Sequence, residues 1–122
     1  MAEKLLIIMM NTDPAHPVAV ATPLFQATIA ASMEFEVEVV FTGRCGELAA
    51  SGLAKRYSLH EGGSQSVYDL IREAHEAGVT FKVCSSALEQ EQADTIPEIA
   101  ETVGSAYIIA QVMSDDVVSL TY

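Results

Sequence analysis

Short apolar runs alternate with longer helical segments along this chain, and their order predicts a parallel sheet. Lys4–Met10, KLLIIMM, is a continuous apolar run closed by Asn11. Its length and paired isoleucines suit a strand buried on both faces. Next comes NTDPAHP, where Asn11, Thr12 or Asp13 can cap a helix and Pro14 or Pro17 fits its first turn. Val18–Met33 is Ala-rich and predicts that helix, with a kink or break near Thr22 because Pro23 lacks an N–H. Phe35–Phe41, FEVEVVF, alternates at its start and puts Glu36 and Glu38 on one face. That pattern places the strand near a sheet edge, or under a partly open face.

Thr42–Glu47, TGRCGE, predicts a turn, and LAASGLA a short helix. Lys55–Gln65 is a polar, Gly-containing loop and the segment expected to be most mobile. In SVYDLIREAHEAG, Val67, Leu70, Ile71 and Ala74 form one buried helical stripe. Ser66 with Asp69 resembles a capping box, and Gly78 suits the C′ position. Val79–Cys84 is the next strand. TIPEIAETVG contains Pro97 and leaves room for a short strand; Ser105–Met113 predicts a helix and Asp116–Tyr122 a closing strand. This alternation argues for an α/β fold, a parallel sheet with helices on both faces.

At 122 residues the chain suffices for one domain, residues 1–122, and is too short for two. Its formal net charge is −11, from 17 acids against 6 bases, with no Lys/Arg cluster. Nucleic acid and anionic membrane surfaces are therefore excluded as expected partners, whereas a basic protein would be attracted. Half of the residues are hydrophobic, but no apolar run approaches the ~20 residues of a membrane span. The N-terminal segment lacks the core and cleavage site of a signal peptide, so a cytoplasmic location is expected.

Two cysteines raise the question of chemistry. In open parallel sheets, ligands gather at the carboxyl ends of the strands. Three loops are expected there, Asn11–His16, Thr42–Glu47 and Cys84–Ala87, and they hold both cysteines. Cys84 ends a strand and precedes Ser85 and Ser86. If either serine caps a short helix through ALEQEQ, free N–H groups and hydroxyls would stabilise a thiolate. The other reading is a small buried hydrophobe. Cys45 follows Arg44, whose charge could lower its pKa, although Glu47 opposes it; the plainer reading is a lightly packed or solvent-facing loop residue. His16 could serve as an acid or base at the same sheet end or simply be solvated, and His60 and His75 carry less. A Cys45–Cys84 redox switch would need Cα atoms within ~7 Å. There is no phosphate loop, dinucleotide fingerprint, serine-hydrolase elbow or zinc spacing. No metal or organic cofactor is expected.

LLIIMM, EVEVVFTG, VYDLIREAHEAGVTFKVCSSAL and ETVGSAYIIAQVMSDDVVSLTY, taken in order, resemble the DsrE/DsrF-like family of small sulfur-relay proteins over nearly the whole chain. The resemblance implies a three-layer α/β/α sandwich around a mainly parallel sheet of about five strands, and homo-oligomers, typically trimers or hexamers. It also implies that the cysteine after the third strand, here Cys84, accepts sulfane sulfur as a persulfide. A rhodanese or TusA-like carrier would be the donor, and a partner thiol the acceptor. Ser85, Ser86, Asn11, His16, Arg44 and Cys45 are the expected neighbours of such a site. Against this sulfurtransferase stands a non-catalytic reading, an oligomeric protein that binds a ligand or partner in the strand-end cleft.

Overall fold

The computed structural model describes residues 3–60, 63–89 and 94–122. Five strands, β1 (Lys4–Met9), β2 (Glu36–Phe41), β3 (Thr80–Cys84), β4 (Ile99–Val103) and β5 (Val117–Thr121), pair in parallel in the order β4-β3-β2-β1-β5. The connections are α1 (Pro17–Ser32), two 3₁₀ turns (Gly43–Ala49 and Ala54–Arg56) leading to α2 (Val67–Glu76), α3 (Ser85–Glu89) and α4 (Ser105–Val112). From β1 to β4 the chain steps one way across the sheet; from β4 to β5 it returns past β1. Parallel crossovers keep one hand, so reversing the direction moves the connecting helix to the opposite face.

The side chains follow that rule. Ile7, Met9, Val39, Phe41, Phe81 and Val83 face α1 and α2 and form the main core with Leu24 and Ile71. Phe41 and Phe81 stack there with centroids 5.6 Å apart. The alternate residues Leu6, Ile8, Val40 and Val103 meet Tyr107, Ile108 and Val112 of α4. Because the side-chain period in a strand is two, Lys82 and Cys84 share the α4 side with Glu38.

Four expectations need correction. β2 is the middle strand of the sheet, not an edge. Its Glu38 is only 3% exposed, because partners on both neighbouring strands and on α4 make burial possible. α1 runs unbroken through Pro23. The carbonyl that Pro23 leaves free is that of Ala19, an exposed residue, so water can satisfy it. The same helix starts at Pro17 with His16 at the N-cap, instead of a cap from Asn11, Thr12 or Asp13. The expected turn at Thr42–Glu47 is the front of a 3₁₀ helix.

α2 forms as its pattern requires. The Ser66 N–H donates to the Asp69 carboxylate at 2.8 Å, and Gly78, at φ +110°, ends the helix where a side chain would be strained. Glu61 and Gly62 of the polar loop, and Gln90–Gln92 of the expected ALEQEQ helix, lie outside the described residues.

Candidate functional site

β3 delivers Cys84 to the carboxyl edge of the sheet, and α3 begins at the very next residue. Ser85 and Ser86 therefore occupy the first turn of α3, not its cap. Cys84 is 3% exposed, while Ser85 and Ser86, next in the chain, are exposed. Burial pushes its pKa up. Hydrogen bonds from the Ser86 and Thr42 hydroxyls and from the Ser86 and Ala87 N–H groups outweigh this, and the net shift is downward. The Ser86 oxygen stands 3.3 Å from the sulfur. Donors aimed at sulfur favour the thiolate, the nucleophilic form.

Cys45 has the opposite environment. It is fully buried in the core on the α1/α2 side, not lightly packed or facing solvent. Its thiol donates to the Thr12 carbonyl at 3.2 Å. Burial pushes its pKa to about 11, and the charge of Arg44 lowers it too little to compensate. Arg44 turns instead to Asp13, at 3.4 Å. Both cysteines are free thiols. Cys84 belongs to the α4 side by strand alternation and Cys45 to the α1/α2 core, so the sheet's two layers receive one thiol each.

His16 is exposed and lies 3.9 Å from Asp13; Asn11 is exposed, and its N–H donates to the Tyr122 carbonyl at 2.9 Å. Sequence reasoning placed the Thr42–Glu47 and Cys84–Ala87 loops at this sheet end but did not single out Thr42, Gly46 or Ala87. Thr42 follows β2 at the same sheet end as Cys84, and recognising that β2 and β3 pair would have exposed it. Gly46 has no local signature: a Cβ there would stand 2.6 Å from the Ala87 Cβ, so only glycine lets α3 sit so close. Among the described residues, no group of three or more His, Cys, Asp or Glu side chains is placed to hold a metal ion. Among them too, no helix is long and apolar enough to cross a membrane.

Comparison with known proteins agrees with this architecture. A family model described as the DsrE/DsrF-like family matches residues 4–118. A solved structure of a conserved protein of unknown function from Bacteroides thetaiotaomicron is similar, with a TM-score of 0.69 and 13% identity, over 98% of this chain and 95% of that one. The ychN protein from E. coli is similar with a TM-score of 0.68 and 9% identity, over the whole of both chains. No curated protein matches.

Proposed function

The chain belongs to the DsrE/DsrF-like family, and on that premise we propose that it is a sulfur carrier whose Cys84 holds sulfane sulfur as a persulfide. The observation that carries this reading is the contrast between two thiols in one chain. Cys84 is lowered in pKa by four hydrogen-bond donors at the carboxyl edge of the sheet, and Cys45 is locked in the core as a neutral thiol. The Cys84 thiolate attacks the outer sulfur of a donor R–S–SH. The new bond to Cys84 forms as the donor S–S bond breaks, and R–S⁻ leaves and takes a proton. An acceptor thiolate then attacks the outer sulfur in turn and releases Cys84, with no net oxidation. A rhodanese or TusA-like carrier suits the donor role, and an acidic surface favours a basic partner. A reducing, cytoplasmic compartment suits a free thiol.

Intact-mass spectrometry after incubation with a sulfane-sulfur donor tests this. Wild type and Cys45→Ser gain one sulfur, and Cys84→Ser gains none. Equal gain by Cys84→Ser would sink the proposal. The low exposure of Cys84 favours a second reading, a binding module in which the thiol only packs. Cys84 titrating like an ordinary thiol, and slow to alkylate, would support it.

The reading includes self-association. Phe25, Ile29, Met33, Phe35, Val118 and Leu120 are exposed large hydrophobics on α1, on β5 and ahead of β2. A cavity of about 320 Å³ lies among some of them, lined by no carboxylate among the described residues. In a chain of net charge −11, such an apolar patch suits a second copy of the chain. Sedimentation should give a trimer or hexamer, and Ile29→Glu with Val118→Glu a smaller species. A monomer at high wild-type concentration removes this part.

A further inference from the structure

A second cavity, of about 260 Å³, lies at the carboxyl end of β1, under α4. This is where the direction of the sheet connections reverses, β2 lying on one side of β1 and β5 on the other. Such switch points are where open α/β sheets bind ligands, because the loops diverge and leave a crevice. Ile8, Met10, Ile108, Ile109 and Val112 make it apolar; Thr42, Ser105 and Thr121 add three hydroxyls. Among the described residues, no charged side chain lines it. Its wall includes Thr42, which follows the Phe41–Val83 pair and so stands beside Cys84 at the end of the intervening strand. Neighbouring strands are ~4.8 Å apart, so the near wall of the cavity begins one strand spacing from Cys84, within reach of a group attached to its sulfur.

We propose that this cavity holds the uncharged apolar group attached to the sulfur that Cys84 exchanges, so that the partner is an organic R–S–SH with an apolar R, not an inorganic anion such as thiosulfate. The inference rests on the sulfur-carrier reading and adds the class of substrate. The cavity is smaller than the ~300–1,000 Å³ of sites for drug-sized ligands, and suits a group the size of one side chain. Apolar walls within an acidic chain favour an uncharged occupant twice, by burial and by repulsion of anions.

Methanethiosulfonates test the pocket directly, since each transfers R–S to a thiolate and leaves R attached as Cys84–S–S–R with loss of methanesulfinate. Rates at Cys84 would be measured by peptide mass mapping for benzyl and 2-sulfonatoethyl reagents, each divided by its rate on a free cysteine amide. The benzyl reagent should be favoured by at least about tenfold, the yield of burying about two methylenes. Ile109→Asp should remove most of that preference; Ile109 is 61% exposed, so the variant folds, and Ile109→Ser gives an uncharged control. A normalised ratio near one overturns the inference, including the case in which another copy covers the cavity. Sulfane-sulfur uptake measured on the same samples separates the two claims. Uptake without preference leaves the carrier and removes the substrate class. Preference without uptake from any donor overturns the carrier and retains an apolar binding site. A Cys84 inert to every reagent overturns both.

Discussion

Replacing Glu38 with alanine is expected to destabilise the fold by about 3–5 kcal/mol, the usual effect of leaving a buried partner charge unpaired. Glu38 accepts from Lys82 at 2.8 Å and Lys4 at 3.4 Å, and the Tyr107 hydroxyl donates to its carboxylate at 2.9 Å. Lys82 also meets the more exposed Glu101 at 2.8 Å, and Lys4 donates to Gln111 of α4 at 2.8 Å. Tyr107 and Gln111 are one helical turn apart, so the cluster clamps α4 to the sheet. α4 needs this clamp because none of its residues is fully buried. Burial depresses the Lys82 pKa, but hydrogen bonds with Glu101, Glu38 and Tyr107 win and raise it. A raised folded-state pKa stabilises fully below the ordinary lysine value of 10.5 and is lost as pH rises past it. Denaturant unfolding near neutral pH reads the alanine effect. The double variant Glu38→Leu, Lys82→Met should recover most of the loss, since a buried pair replaced by packed hydrophobes is often neutral. A Glu38→Ala loss below ~1 kcal/mol, the range of exposed pairs, would show that water already screens the cluster.

A methyl group at Gly46 should damage the site through its neighbour. Gly46→Ala places a carbon 2.6 Å from the Ala87 Cβ and 3.0 Å from its carbonyl oxygen. α3 must then move, and overpacking of this kind costs about 1–3 kcal/mol. The same movement withdraws the Ala87 and Ser86 N–H groups from Cys84. Losing donors to a thiolate raises its pKa, so the midpoint of Cys84 alkylation against pH should rise. Thr42→Val removes one hydroxyl with nearly the same shape. It should shift the midpoint in the same direction while costing about 1 kcal/mol of stability or less. An unchanged midpoint in Gly46→Ala would show that α3 does not tune the thiol. An unchanged midpoint in Thr42→Val would remove that hydroxyl from the site.

Much of the architecture was legible because it is written in local periodicity. The apolar run at β1, the capped stripe of α2 and the uncharged segment of α4 each carry their element in a few residues. The resemblance to the DsrE/DsrF-like family rested on the same segments. β4 was harder, since only Val103 of it is buried and its sequence, IAETV, lacks an apolar run. Pro23 misled because a free carbonyl breaks a helix only when nothing can satisfy it, and exposure is not a local property.

The site divides in the same way. Sequence alone put Cys84 at the carboxyl end of a strand with hydroxyls beside it, and found no motif for nucleotide, metal or serine-hydrolase chemistry. It favoured Cys84 over Cys45, on the serines beside Cys84 and on the family resemblance, but could not give either thiol's pKa, which depends on desolvation and on donors from other segments. Arg44 adjoins Cys45 in sequence but pairs with Asp13, while Thr42, 42 positions before Cys84, reaches its sulfur through the β2–β3 pairing. Likewise Glu38 read as a residue near a sheet edge or under a partly open face until Lys4 and Lys82 met it from the flanking strands. Periodicity determined the elements and their order, since each element's pattern is carried by its own residues. Only the tertiary structure decided which charges could be buried, which thiol is shifted down in pKa and where an apolar cavity opens, because each of those requires groups brought together from distant parts of the chain.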